Sequence, residues 1–410
     1  MAAFAPVMTT RSKVDLSSPW RWSSNNSDIY YGIGDTQTAM IGQKSVRPGG
    51  VSDPSSRLII NTQDKNQNHI LFKTGGVNSN IILGKLYLDD SSVILGNGTT
   101  VSGKNATSLG YNSLTSNTSG ESNTAIGTES LQHNTIGKEN TALGQASLLS
   151  NESGNGNVAV GNSSLRNNTS SYNTALGQDS LYSNTTGSHN TSVGWESLNK
   201  NTTGNNNTVL GYKALHDIVN GSNNIAIGSE SNSGLTQALD NTISIGANTQ
   251  SYGKNSTAIG ANSLAKGAYS ISIGGSDART TSSQANGDYS ISIGPNSLVT
   301  EENSIALGND VKVTAKDVVS LGYLSRGEGE SSTSIGTNSG TMGTYSIALG
   351  AGSYANGNYS ISISDSVAKG QNSIAVGYGS YSLRSGGISI GANSRSGSTN
   401  SELYGDYAVS

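Results

Sequence analysis

An all-β solenoid of short parallel coils is the fold the sequence predicts, on three observations. A small-apolar-Gly phrase recurs at a nearly fixed interval. Apolar residues alternate with small polar ones just before each of those glycines. The composition cannot fill a conventional core. Of 410 residues, 33% are hydrophobic and 12% charged, with 53 Gly, 2 Phe and no Cys, whereas an average soluble domain is roughly 45–50% apolar and about 25% charged. The low charge argues against ordinary disorder. A chain rich in Gly, Ser, Thr and Asn, with Ile, Val and Leu in regular spots, has the profile of a β-repeat protein.

The period decides the organisation. The phrase closes at Gly110, Gly127, Gly144, Gly161, Gly177, Gly194, Gly211 and Gly228, in steps of 17 residues with a single 16. It continues at Gly246, Gly260, Gly274, Gly294, Gly308, Gly322, Gly336 and Gly350. Ser364 then replaces Gly in ISIS, and Gly377 and Gly391 follow. Most of these later steps are 14, the exceptions being 18, 20 and 13. A second glycine lies seven residues after the first in the short unit, as at Gly253 and Gly267, and ten after it in the long unit, as at Gly120 and Gly137. The long unit is thus the short one with three residues inserted in a turn, and such insertions map to one face of a solenoid.

Locally the pattern is strand. YSISIG (269–274) alternates Ile271 and Ile273 with serine, which is period two. Glycine then ends the strand, because it tolerates positive φ. The turn glycines expected to carry the fold include Gly127, Gly144, Gly161, Gly177, Gly194, Gly211, Gly260, Gly274, Gly308 and Gly350. Each repeat is expected to be one coil of two short strands and two turns, and some eighteen coils at about 4.8 Å give roughly 85 Å. The aliphatic before each glycine, with a leucine four residues after it (Leu131, Leu148, Leu181, Leu198, Leu264), reads as one thin apolar stripe. Small residues at the alternate position, such as Ala125, Ala142 and Ala159, are expected to let neighbouring backbones approach. So narrow a coil leaves an apolar face uncovered, and association with closed cyclic symmetry is the expected remedy.

Units such as NSIALGNDVKVTAK and NSTAIGANSLAKGA resemble the head repeats of YadA-like trimeric autotransporter adhesins, and NTALGQxSL…NTTG resembles the longer variant, over about residues 93–395. The resemblance implies a left-handed parallel β-roll, three chains around one axis, a form also found in phage fibres. It implies little about the ligand, because the architecture serves many receptors. The expected divisions are an N-terminal arm (1–56), a β-rich adaptor or cap (57–92), 17-residue coils (93–235), 14-residue coils (236–395) and a C-terminal tail (396–410).

Residues 1–92 hold two of the three Trp and both Phe. Trp20, Arg21 and Trp22 are of the types that dominate interface energy, and are expected to attach the arm to a particle. Residues 57–95 read as strands with a hairpin, capping the open first coil. YadA-like adhesins are expected to carry a secretory leader, a coiled-coil stalk and a membrane-anchor barrel. The start, MAAFAPVMTTRSKVDLSS, does not read as a leader, no heptad segment stands out, and SELYGDYAVS closely follows the last repeat. The expectation is therefore a homotrimeric phage fibre or spike, located on the virion, touching other virion proteins and a host-surface glycan or protein. The alternative is the head of a bacterial trimeric adhesin.

No chemistry is expected. Absent cysteine removes thiolate metal sites, and a net charge of −4 gives no nucleic-acid footprint. No run of about 18 apolar residues suggests a membrane helix. The four histidines (His69, His133, His189, His216) show no HxH or HExxH spacing. Glu301–Glu302 and Asp89–Asp90 are adjacent, so on a strand they face opposite ways; Glu328 and Glu330 lie in a Gly-rich turn and read as solvated. We therefore expect no catalytic residues, metal or cofactor. A polysaccharide-cleaving fibre is disfavoured by the sparse acids, and an ice-binding solenoid by its irregular Thr rows. Asparagine recurs four before the glycine (Asn123, Asn140, Asn157, Asn173, Asn190, Asn207, Asn224), as expected of a stacked amide ladder, with a carbohydrate-binding ladder as the rival reading. Tyr269, Tyr289, Tyr345 and Tyr359 take the position five before it and are expected to stack or to meet sugar rings.

Overall fold

A computed structural model describes residues 20–22, 28–32, 38–42, 93–95, 104–234, 239–276 and 282–397. The chain divides into two units, Met1–Leu86 and Tyr87–Ser410. In the first, where an extended arm was expected, three strands form an antiparallel meander: β1 (Trp20–Trp22), β2 (Asp28–Gly32) and β3 (Thr38–Gly42). Their register sets Trp20, Tyr31 and Ala39 in one row and Trp22, Ile29 and Ile41 in another. Aromatic and β-branched residues at alternate positions favour this pairing. The expected adaptor at 57–92 lies outside the described residues, as do residues 398–410 of the tail.

The second unit is a parallel β-solenoid, with no helix among its described residues. Twenty three-residue strands, from Val93–Leu95 to Ile388–Ile390, stack in unbroken register, and no pairing joins the last to the first, so the sheet is open. A second sheet of eleven two-residue strands runs from Gln250–Ser251 to Arg395–Ser396. It exists only in the 14-residue coils. The 17-residue coils have one strand, not the two expected, because the leucine four after the glycine adopts a left-handed φ (+48° to +52° from Leu114 to Leu215) and turns the chain. Backbone bonds still join adjacent coils there, as from Leu131 N to Ser147 O at 3.0 Å.

Burial corrects the expected apolar stripe. Along each strand the middle residue is buried and its neighbours are half-buried or exposed. Ala125, Ala142 and Ala159 are therefore inside the coil, where their small size lets its own walls close. Leu131, Leu148, Leu181 and Leu198 are fully buried beside them, whereas Leu264, on a strand of a short coil, is only half-buried next to buried Ala265. The aliphatics flanking the alanines point the other way, to the surface. Period-two alternation demands this: if residue i points in, i±1 point out.

The interior changes character along the unit. In the long coils two asparagine ladders flank the leucines. One is the expected column: Asn140 Nδ2 donates to Asn123 Oδ1 at 3.2 Å and Asn157 Nδ2 to Asn140 Oδ1 at 3.1 Å. The other, which the sequence reading missed, runs through Asn117, Asn134, Asn151, Asn168, Asn184 and Asn201, with amide-to-carbonyl distances of 2.7–3.3 Å. Ile218 ends it by replacing Asn one coil on. In the short coils buried serines take over; Ser320, Ser325, Ser334 and Ser339 are linked hydroxyl to hydroxyl at 2.8–3.0 Å.

Candidate interaction surfaces

The register turns the outward aliphatics into columns. Leu210 is partnered with Ile227, Ile227 with Ile245, and Ile245 with Ile259. A parallel column from the other flank of the strands runs through Ile225, Ile243, Thr257 and Ile271. Several members are well exposed, Leu210 by 50%, Leu109 by 46% and Leu307 by 44%. Scattered exposed apolar side chains need no explanation, but a contiguous apolar patch marks an interaction site.

The turn after each such strand is fixed by glycine. The ten turn glycines named above have φ between +107° and +145°, where side chains are strained. Ser364, the exception, instead takes φ +68°, Asp365 takes +47°, and the following step is one residue shorter. An ordinary left-handed turn thus replaces the glycine turn.

At the end of the long coils, charged and aromatic side chains clasp three turns together. Lys213 lies 3.3 Å from Glu196 and over the rings of Trp195 and Tyr212, which tilt against each other at 5.1 Å. Lys200 meets Asp217 at 2.6 Å, His216 Nδ1 stands 3.0 Å from the same carboxylate, and the Gly234 amide donates to it at 2.8 Å. Burial by itself would raise the Asp217 carboxyl; the bonds from Lys200, Gly234 and His216 together outweigh it and hold the group at about 2, below its usual 3.8. Hydrogen bonding to Glu196 raises the Lys213 ammonium, and Glu302 does the same for Lys316. Because Asp217 is depressed in the folded state, its contribution is present above the unfolded value and fades as pH falls toward about 2. We expect the melting temperature of the native chain to fall more steeply between about pH 5 and pH 2 than that of Asp217→Asn. Equal slopes would exclude this role.

Among the described residues no group of three His, Cys, Asp or Glu could hold a metal, and no helix is long and apolar enough to cross a membrane. His133 is exposed and His189 stacks on Tyr172 at 5.2 Å. Glu302 is paired with Lys316 at 2.8 Å, while Glu328 and Glu330 are exposed. His69, Asp89 and Asp90 lie outside the described residues. Tyr269 stacks on Tyr289 at 5.1 Å and Tyr345 on Tyr359 at 5.2 Å. Trp20, Arg21 and Trp22 lie in β1, within the other unit.

A family profile described as the YadA head domain repeat matches residues 91–113, 240–263, 251–276, 283–310, 343–363 and 368–394. The chain carries YadA head domain repeats. In each matched segment the YadA head unit is a strand, a positive-φ turn and the start of the next wall. The 17-residue coils between residues 114 and 239 lie outside the matched segments, yet their strands continue the register of the YadA head strands on either side. No curated protein matches the chain. YadA head repeats are a structural, adhesive kind of repeat.

Proposed function

We propose that the chain is a non-enzymatic adhesive shaft that works as a parallel homotrimer on an extracellular surface. One observation carries this: an aliphatic column runs the length of the long sheet, joined from Ile225 onward by a second on the other flank, and its members stand exposed or half-buried in a single chain. Like chains set side by side in register bring coil against identical coil, and closed cyclic symmetry then covers all copies equally. Three is the number the YadA-like resemblance implies.

The finer reading is a virion fibre whose N-terminal segment docks on the particle while the solenoid meets the host. It is supported by the concentration of tryptophan in a separate N-terminal unit, since Trp and Arg anchor interfaces. The head of a bacterial surface adhesin is the alternative, favoured by the family match.

Light scattering should give three times 41.9 kDa. Leu210→Glu combined with Leu307→Glu should give the monomer, because buried charge without a partner is costly. Both side chains are solvent-exposed in one chain, so a native monomer would tolerate the change. A native monomer, or a trimer unaffected by both substitutions, rejects the proposal. Beads coated with the trimer should adhere to host cells. Purified particles should contain the chain and lose it on deletion of residues 1–56 if the fibre reading holds.

A further inference from the structure

The coils share one wall but not one filling. Leu198, Leu215 and Ile218 fill the last long coils, and Val299, Val311 and Val313 fill a later stretch of short ones. Between them, from Thr242 to Ala265, every buried side chain is Ser, Thr or Ala. Local stability follows buried apolar contact, so a coil filled with small side chains is held less firmly than its neighbours.

The same stretch carries unmet hydroxyls. Ser244, Ser256 and Ser263 are fully buried, and their Oγ atoms have no hydrogen-bond partner. In the coils that follow, serines are bonded: Ser272 donates to Ser283 O at 2.8 Å and Ser283 to Ser292 O at 2.6 Å. Ser292 also donates to Ser297, five residues on, at 2.9 Å. Ala258 stands in the corresponding place before Ser263 and offers it no such bond. A buried hydroxyl without a partner has lost its water and gained nothing, so opening the coil recovers its hydration.

The backbone does not compensate. Ile243 N donates to Ser256 O at 3.0 Å and Thr257 N to Ser270 O at 2.9 Å, against 2.8 Å from Thr191 N to Asn207 O in a long coil. A stack in which each coil touches mainly its neighbours opens where its local interactions are poorest.

We propose that the coils from Ile243 to Ala265 form a yielding joint, loosened by their small filling and unmet hydroxyls. They open and rewind locally while the coils on either side stay wound. This goes beyond the adhesive reading and does not depend on it. A 14-residue coil advances the solenoid by about 4.8 Å when wound and reaches roughly 46–50 Å when drawn straight. The joint therefore lets a loaded shaft lengthen without unravelling.

Hydrogen exchange of the full-length native chain, read by mass spectrometry, tests this. Amides of residues 243–260 should exchange at least about tenfold faster than those of 191–211 and 305–321. Ser244→Ala, Ser256→Ala and Ser263→Ala together remove the unmet hydroxyls without adding volume. The triple variant should slow exchange in 243–260 about tenfold and leave the other two windows unchanged. Exchange in 243–260 no faster than in the flanking windows overturns the proposal. So does a triple variant that exchanges there as fast as the native chain or faster, since the hydroxyls would then be satisfied. A similar gain in its own coil from Ser292→Ala, whose hydroxyl is bonded, also overturns it, because any loss of a serine would then do the same.

Discussion

Gly144→Ala is expected to lower stability by about 4 kcal/mol, at the upper end for a single methyl group. Gly144 has φ +139°, where an L side chain is strained by roughly 1–3 kcal/mol. The new Cβ would also stand 2.6 Å from the carbonyl carbon of Gly161 in the next coil. That carbonyl belongs to backbone, so relief means parting the coils. Parting them breaks neighbouring bonds such as Gly161 N to Leu143 O at 2.8 Å. In a stack where each coil touches mainly its neighbours, the damage should show as an early partial unfolding transition. Hydrogen exchange should speed up in the coils on either side of residue 144 first. Gly386→Ala is the control: its φ is +69° but nothing lies within 4 Å of an added Cβ, so about 1 kcal/mol is expected. Equal losses at the two sites would show that the coil spacing is not set by these glycines.

Asn157→Ala should cost roughly 2–3 kcal/mol, by a different route. The Asn157 amide donates to Asn140 Oδ1 at 3.1 Å and to Ser170 O at 2.8 Å, and its carbonyl accepts from Asn173 N at 2.9 Å. Alanine leaves the buried Asn173 amide without a partner, worth about 1–3 kcal/mol, whereas Ser170 O keeps the Asn168 amide at 2.8 Å. Thr203→Ala, which removes only an exposed bond to Asn220, should stay within about 0.5 kcal/mol. Chemical denaturation of the three proteins decides it. A loss at Asn157 no larger than at Thr203 would mean that water satisfies the ladder.

The coil length, the turn glycines and the first asparagine ladder were legible because each is a single residue type at a fixed interval. The second ladder was equally periodic, at Asn117, Asn134 and Asn151, but polar residues in an inserted turn read as surface. The facing of the aliphatics was misjudged because two apolar positions near one glycine looked like one stripe. Alternation separates them: Ile126 flanks buried Ala125 and faces out, while Leu131 lies beyond the turn and faces in. Single-stranded long coils could not be foreseen, since they need leucine at φ near +50°, a conformation disfavoured for bulky residues. Burial of that leucine, worth about 1.5–3 kcal/mol, offsets the strain. The Lys213–Glu196 and Lys200–Asp217 pairs were present in the numbering as residues one period apart.

The unbroken register of the long sheet also bears on how the molecule is made. All-β proteins usually fold slowly, because strands distant in sequence must find one another. Here every strand pairs with one about a single period away, 17 or 14 residues in a chain of 410. The relative contact order is therefore only about 0.04, below even that of helical bundles. Each completed coil offers a template edge to the one emerging after it, so growth can follow translation from the amino terminus like a zip closing behind the ribosome.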